Sequence, residues 1–179
     1  LVGEYYTKAF TRTYGMKTVV IRPFNSYGPR EHYQGAHGEV IPKFAIRIKH
    51  GKEPLIFGDG SQTRDFTYVI ETAQGIIQAA NCEELNGDVV NLAYGQEVSV
   101  TNIAKYLLEA LNSDIQAKYC GDRPGDVLRH YADISKARRM FGFDPQVDIK
   151  TGLKLYLEWL DTQEIDLSKE VEFNWKKDD

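Results

Sequence analysis

Residues 58–69 read Gly-Asp-Gly-Ser-Gln-Thr-Arg-Asp-Phe-Thr-Tyr-Val, a polar, glycine-bearing turn that runs straight into an alternating strand. Side chains two apart on a strand share a face. Arg64, Phe66 and Tyr68 therefore fall on one side, and Asp65, Thr67 and Val69 on the other. If the aromatic side is the core side, Arg64 points the same way as two buried rings. A guanidinium stays charged there and needs an anionic partner. A protein carboxylate or a bound anion such as phosphate would serve, and this stretch does not choose between them.

Outward from this strand, helical and strand patterns alternate. Leu1 to Tyr14 is an amphipathic helix, with Val2, Tyr5, Tyr6, Ala9 and Phe10 at helical spacing and Gly15 at the C-terminal cap. Leu1 lacks a preceding N-cap, which gives the expectation of a helix already under way. Thr18 to Arg22 has the β-branched profile of a strand buried on both faces, ended by Pro23 and the Gly28-Pro29 turn. Val40 to His50 is a second helix with Pro42 in its first turn. Leu55 to Phe57 is a short strand, Glu71 to Ala80 a third helix, and Val89 to Ala93 a second buried strand. A fourth helix follows, with Thr101 as its expected cap. Residues 117–120 read as a strand. Asp133 caps a helix through Met140, and Thr151 opens a last helix through Leu160. The tail from Ser168 is of mixed charge, with Phe173 and Trp175 able to dock it. The alternation predicts an α/β fold whose pieces interleave.

The formal charge of −4 over 179 residues, with no basic stripe, gives no reason to expect nucleic acid. No apolar run is long enough to span a bilayer. Cys82 and Cys120 lack zinc-type spacing and read as free thiols of a reducing cytosol. His32, His37, His50 and His130 show no ligand spacing, so no metal site is expected.

Four loop-side clusters have the residue types for binding. Arg22-Pro23-Phe24-Asn25 ends a buried strand, where open parallel sheets hold ligands. Asn25 there is equally suited to a turn. Val40-Ile41-Pro42-Lys43 opens a helix whose free N–H groups favour an anion. Arg64 stands in the opening stretch. Arg123-Pro124-Gly125-Asp126 puts a second arginine and a carboxylate on a rigid turn. Two preorganised arginines suit bidentate recognition of a diphosphate, with Asp126 able to accept ribose hydroxyls. No glycine-rich dinucleotide fingerprint, nucleophile elbow or Ser-His-Asp arrangement is present.

These clusters carry a resemblance. Gly3-Glu4-Tyr5, Arg22-Pro23-Phe24-Asn25-Ser26-Tyr27-Gly28-Pro29-Arg30, Val40-Ile41-Pro42-Lys43-Phe44, the stretch from Phe57 to Val69, Val90-Asn91-Leu92-Ala93, Arg123-Pro124-Gly125-Asp126, Ala132-Asp133-Ile134-Ser135-Lys136-Ala137 and Gly142-Phe143-Asp144-Pro145 occur in that order. Together the chain resembles the nucleotide-sugar epimerases and dehydratases of the extended short-chain dehydrogenase/reductase family, over nearly all of its length to about Leu160.

The resemblance implies the C-terminal half of a cytoplasmic, homodimeric, NAD-dependent enzyme acting on a UDP- or dTDP-hexose. The family's catalytic tyrosine and lysine are expected upstream of Leu1, so no catalytic residue falls in this chain and the chain alone is expected to be inactive. Arg22, Pro23 and Phe24 would lie beside the nicotinamide, with Asn25 on the sugar or phosphate. Val40, Ile41, Pro42 and Lys43 would line the nucleotide pocket, with Phe57 against the base. Arg64 and Arg123 would hold the diphosphate and Asp126 the ribose. Residues 1–30 and 58–93 would be Rossmann segments, and 31–57 and 94–179 the substrate-binding part with its tail. The implied reaction is 4-epimerisation through a transient 4-keto sugar. A 4,6-dehydratase, a decarboxylase or a non-catalytic nucleotide-sugar binding module is the alternative.

Overall fold

The computed structural model describes residues 1–35, 38–163 and 171. In chain order its elements are α1 (Val2–Tyr14), β1 (Val19–Pro23), β2 (Ser26–Tyr27), α2 (Val40–Lys49), β3 (Leu55–Phe57), β4 (Thr63–Asp65), β5 (Thr67–Tyr68), α3 (Val69–Ala80), β6 (Asp88–Leu92), β7 (Glu97–Ser99), α4 (Val100–Ala110), β8 (Lys118–Cys120), β9 (Arg129–His130), α5 (Ser135–Phe141) and α6 (Ile149–Asp161). The fold is α/β, as the alternation predicts. The chain divides into two compact units, one of residues 1–26, 65–96 and 131–148, the other of 27–64, 97–130 and 149–179.

The first unit is built on β1 and β6, which pair in parallel from Val19 opposite Asp88 to Pro23 opposite Leu92. A parallel pair needs a long crossover, and its hydrophobic face needs helices to cover it. Ala79 of α3, Val90 and Leu92 of β6, Ala137 of α5 and Phe143 form the buried cluster, with Val19 and Ile21 packed against it. Gly75 lets α3 approach closely, since a Cβ there would lie 2.7 Å from the Phe143 ring and 2.9 Å from Leu92. Residues 131–148, placed with the substrate segment on sequence, fall in this unit because α5 packs on β6.

Two expectations are corrected in this unit. Val19, Val20 and Ile21 are only half-buried, and Arg22 and Pro23 are exposed. Among the described residues, β1 pairs with no strand other than β6. The apolar stripe of α1 also points outward: Val2, Tyr5 and Tyr6 are 69%, 67% and 65% exposed, and no residue of the helix is buried. Its half-buried residues are Glu4, Thr7, Lys8 and Thr11, spaced as one helical face. That polar face meets neighbouring backbone and side chains. Glu4 accepts both Arg22 Nε and Nη2 at 2.7 Å, and Thr11 hydrogen-bonds Thr18.

In the second unit β3 and β8 pair in parallel, Leu55 opposite Lys118 and Phe57 opposite Cys120. β4 lies between β7 and β9, with Arg64 opposite His130. α4 packs against α2 and α6. Ile41, Ile46, Ile56, Ile103, Leu107 and Leu153 are wholly buried in this unit. α6 comes close to Tyr27 at Gly152, where a Cβ would sit 1.9 Å from the phenol oxygen.

The cap of α4 is Ser99, whose Oγ accepts the Asn102 N–H at 3.2 Å; Thr101 instead donates to the Gly60 carbonyl at 3.1 Å. α5 begins at Ser135, with the Asp133 carboxylate accepting the Ser135 N–H at 2.8 Å. Ala36, His37, Ser168, Phe173 and Trp175 lie outside the described residues. Val171 is buried, and its carbonyl accepts Arg47 Nη1 at 2.6 Å. No helix among the described residues is long and apolar enough to cross a membrane.

Candidate functional site

The opening turn is built by local chemistry. Gly58 and Gly60 have φ of 70° and 74°, the left-handed region that glycine adopts without a Cβ penalty. Between them Asp59 closes an Asx turn on the Ser61 N–H at 2.8 Å. The strand β4 that follows, with Phe66 and β5 after it, is buried on both sides: Asp65 and Thr67 are 0% exposed, while Phe66 and Tyr68 are 6% and 8%.

Arg64 sits at the mouth of this strand with only 16% of its side chain exposed. Its partner in the structure is a protein carboxylate together with two backbone carbonyls. Nη2 donates to Asp126 Oδ1 at 2.9 Å, and Nη1 donates to the carbonyls of Thr63 at 2.8 Å and Val127 at 2.5 Å. The same Asp126 oxygen lies 3.6 Å from Arg123 Nη2. The Arg123 guanidinium carbon stands 5.8 Å from the centre of the Phe57 ring, within cation–π reach, and its side chain is 42% exposed. Asp126 is thus the carboxylate on which both arginines converge.

The structure therefore brings together Phe57 of β3, Arg64 of β4, and Arg123 and Asp126 of the loop after β8, four residues singled out on sequence. Parallel pairing of β3 with β8 places Phe57 opposite Cys120, three residues before Arg123. Gln62 reinforces the turn by donating to the Phe57 carbonyl at 2.9 Å. Beside Arg64, Thr63 donates to Glu97 Oε1 at 2.6 Å, and Arg129 Nε lies 2.8 Å from both Glu97 oxygens. That bond to Arg129, with Thr63's, holds the Glu97 carboxyl below the usual carboxylate range. Val40 to Lys43 form the first turn of α2 in the same unit; Ile41, Pro42 and Lys43 are buried and Val40 half-buried. Pro42 suits that turn, since the first N–H groups of a helix have no intrahelical acceptor.

Arg22, Pro23, Phe24 and Asn25 belong to the other unit. The Arg22 guanidinium is engaged by Glu4. Phe24 donates its N–H to the Leu92 carbonyl at 2.9 Å and packs on the buried Ala93, Ala132 and Ile134. Asn25 has a φ of 33°, rare for a residue with a Cβ, and its Nδ2 donates to the Asp65 carbonyl at 2.9 Å. Thr67 holds the same strand end, with its N–H 3.3 Å from the Asn25 carbonyl and its Oγ1 3.2 Å from that of Phe24.

Three participants escaped the sequence reading. The carbonyls of Thr63 and Val127 bind Arg64, and main-chain acceptors leave no mark on residue type. Asp65 is the third. Its buried carboxylate collects the N–H groups of Tyr94 at 3.0 Å, Gly95 at 3.1 Å and Ala132 at 3.5 Å. Burial pushes its carboxyl up, against the downward pull of these N–H groups. A carboxylate in a stretch read as a buried strand was its available signal.

The sequence model of the GDP-mannose 4,6 dehydratase family matches residues 1–156. The chain belongs to the nucleotide-sugar epimerase/dehydratase group of the extended short-chain dehydrogenase/reductases. It is 36% identical over 159 residues to a putative UDP-glucose 4-epimerase of Methanocaldococcus jannaschii, a match that covers 89% of this chain and 50% of that protein. Among solved structures it is similar to the UDP-glucose 4-epimerase of Thermotoga maritima with UDP-glucose, with a TM-score of 0.85 and 34% identity, covering 89% of this chain and 51% of that one. It is also similar to the UDP-glucuronic acid 4-epimerase of Bacillus cereus in complex with UDP-glucuronic acid and NAD, with a TM-score of 0.80 and 26% identity, covering 89% and 50%. The Rossmann-type epimerase/dehydratase fold is thereby established. The chain spans about half the length of the curated relatives it matches.

Proposed function

We propose that the complete protein is an NAD-dependent nucleotide-sugar 4-epimerase and that this chain is its nucleotide-sugar binding half. The observation that carries the reading is the convergence of Arg64 and Arg123 on one carboxylate oxygen, with Phe57 under Arg123. Arg64 and Arg123 hold the diphosphate of a UDP- or dTDP-hexose, and Asp126 accepts the ribose hydroxyls. Phe57 lies against the base, and Val40, Ile41, Pro42 and Lys43 line the nucleotide pocket. Asn25 bonds the sugar or phosphate. Guanidinium groups suit this role because their fork matches two phosphate oxygens at once. Neutralising and positioning the diphosphate leaves the hexose presented for reaction.

The β1–β6 unit is the part of the cofactor domain this chain contributes. Arg22, Pro23 and Phe24 stand at the C-terminal end of a parallel strand, where such sheets bind cofactors. Exposed Pro23 and half-buried Phe24 fit NAD as an apolar wall, while the Arg22 guanidinium beside them is taken by Glu4. Bound there, NAD would supply reversible hydride transfer at the C4 carbon. The catalytic tyrosine and lysine belong to sequence preceding Leu1, and the enzyme works as a cytoplasmic homodimer.

A second reading is a 4,6-dehydratase, favoured by the description of the family model that matches residues 1–156. Product analysis with the complete protein and a panel of UDP- and dTDP-hexoses and hexuronic acids separates the two. The C4 epimer is expected. A 4-keto-6-deoxy sugar as the accumulating product would replace the first reading with the second, and a decarboxylated pentose would replace both. The purified 179-residue chain is expected to show no turnover, and epimerisation by it would overturn the assignment of catalysis to preceding sequence.

A further inference from the structure

Resting on the nucleotide-sugar reading, we propose that Asp126 is a selectivity residue. It is the counter-ion of both arginines in the free protein, and it favours a diphosphate ligand that also carries a ribose.

One oxygen of Asp126 serves Arg64 at 2.9 Å and Arg123 at 3.6 Å, and the Asp126 side chain is only 21% exposed. The two guanidinium groups that suit a diphosphate share this one carboxylate, which offsets one of their two positive charges. Arg64 is further held by two carbonyls, so its position is set without any ligand. A diphosphate that engages Arg64 Nη2 takes that N–H from Asp126, and one that engages Arg123 competes for its charge. That leaves a half-buried carboxylate without its Arg64 hydrogen bond and next to phosphate oxygens of the same sign, an arrangement that costs free energy.

The cost depends on what else the ligand brings. Inorganic pyrophosphate carries acceptors and few donors at neutral pH, so the displaced carboxylate stays unsatisfied. A nucleoside diphosphate carries ribose hydroxyls, which donate to the displaced oxygens. Exchange of arginine donors for hydroxyl donors then restores the balance. Selectivity between ligands is a difference of binding free energies, and here it arises from a penalty that one class of ligand relieves. Asp126 sits on the Arg123-Pro124-Gly125 turn, where Gly125 has a φ of 79° and the Asp126 N–H lies 3.2 Å from the Arg123 carbonyl. This short turn carries the carboxylate and one of its two arginines, so both shift together when the loop adjusts.

The test is calorimetric titration of the complete protein with UDP and with inorganic pyrophosphate, for the natural sequence, Asp126→Asn and Asp122→Asn. Asp126→Asn should bind pyrophosphate about tenfold more tightly and UDP about tenfold more weakly, roughly the worth of one charge-assisted hydrogen bond in either direction. Asp122→Asn makes the same change in net charge four residues away and should leave both affinities within about twofold. Unchanged or weaker pyrophosphate binding by Asp126→Asn overturns the proposal while the nucleotide-sugar reading stands. An equal rise in pyrophosphate affinity in Asp122→Asn also overturns it, since net charge alone would then be the cause. Absence of UDP binding by the natural sequence, with pyrophosphate still binding more tightly to Asp126→Asn, removes the nucleotide reading and the selector with it.

Discussion

The Asp65 carboxylate holds the Gly95 N–H with both of its oxygens, at 3.1 and 3.2 Å. It is wholly buried, one residue after Arg64, and it also gathers the N–H groups of Tyr94 and Ala132. Removing it would leave buried main-chain donors without acceptors. Asp65→Ala should destabilise the protein by on the order of 3 kcal/mol, read as a lower midpoint in urea denaturation. Asp65→Asn keeps one oxygen and should lose less. A midpoint for Asp65→Ala equal to that of the natural sequence would remove Asp65 as an organiser of the 94–96 turn.

Arg64 and Arg123 differ in how firmly they are held, and binding should show it. In the complete protein Arg64→Ala and Arg123→Ala should each weaken UDP binding at least tenfold, roughly the worth of one charge-assisted hydrogen bond. Arg64→Lys should recover little, because an ammonium cannot reproduce the forked contacts to Asp126, Thr63 and Val127. Calorimetry with UDP gives the answer directly, and full affinity in both alanine variants would dispose of the diphosphate assignment.

Glu31 supplies a pH dependence. Burial pushes its carboxyl up to about 8, with Glu39 adding to the rise and the Gly28 N–H at 3.3 Å opposing it. The folded protein therefore favours the protonated acid, whereas the unfolded chain ionises near 4.5. The stability this group contributes is fully present below that lower value and is lost as pH rises through about 8. The melting temperature should fall between pH 5 and pH 8, and Glu31→Gln should flatten that fall. An identical pH profile for the variant would exclude Glu31 as its source.

At Gly152 the approach of α6 to Tyr27 leaves no space for a side chain, with a Cβ 1.9 Å from the phenol oxygen and 2.7 Å from the ring carbon that bears it. Gly152→Ala should destabilise the protein by about 1–3 kcal/mol through overpacking, despite alanine's better helix propensity. Combining it with Tyr27→Phe should recover part of the loss, since the nearest atom is then gone. Denaturation midpoints of the two single variants and the double variant test this, and simple additivity would separate the two positions.

Much of the architecture was legible because it rests on local chemistry. Gly15 and Gly142 end α1 and α5 in the left-handed region, at φ of 66° and 68°, as their positions after amphipathic runs require. The β-branched runs around Val20 and Val90 became a parallel pair. Other features depend on distant partners. β2, β7 and β9 are two or three residues long and carry no periodic signal. Ser99 caps α4 because Thr101 is drawn to Gly60, a contact no propensity records. The outward aromatic stripe of α1 follows from polar partners on β1 and near it, Arg22 and Thr18, that claim the other face.

The sequence by itself determined that the chain is α/β, that Arg64 stands at the mouth of a buried strand, and that an arginine placed there must find an anion. Those conclusions follow from side-chain periodicity and from the cost of burying an unpaired charge, both properties of a short stretch. Only the tertiary structure decided that the anion is Asp126, sixty-two residues further along, shared with Arg123 and backed by two carbonyls. It alone showed that Asp65, on the opposite side of the same strand, binds main-chain N–H groups from two other loops. Pairings of this kind depend on which loops the parallel strands bring to one end, and residue type does not encode that.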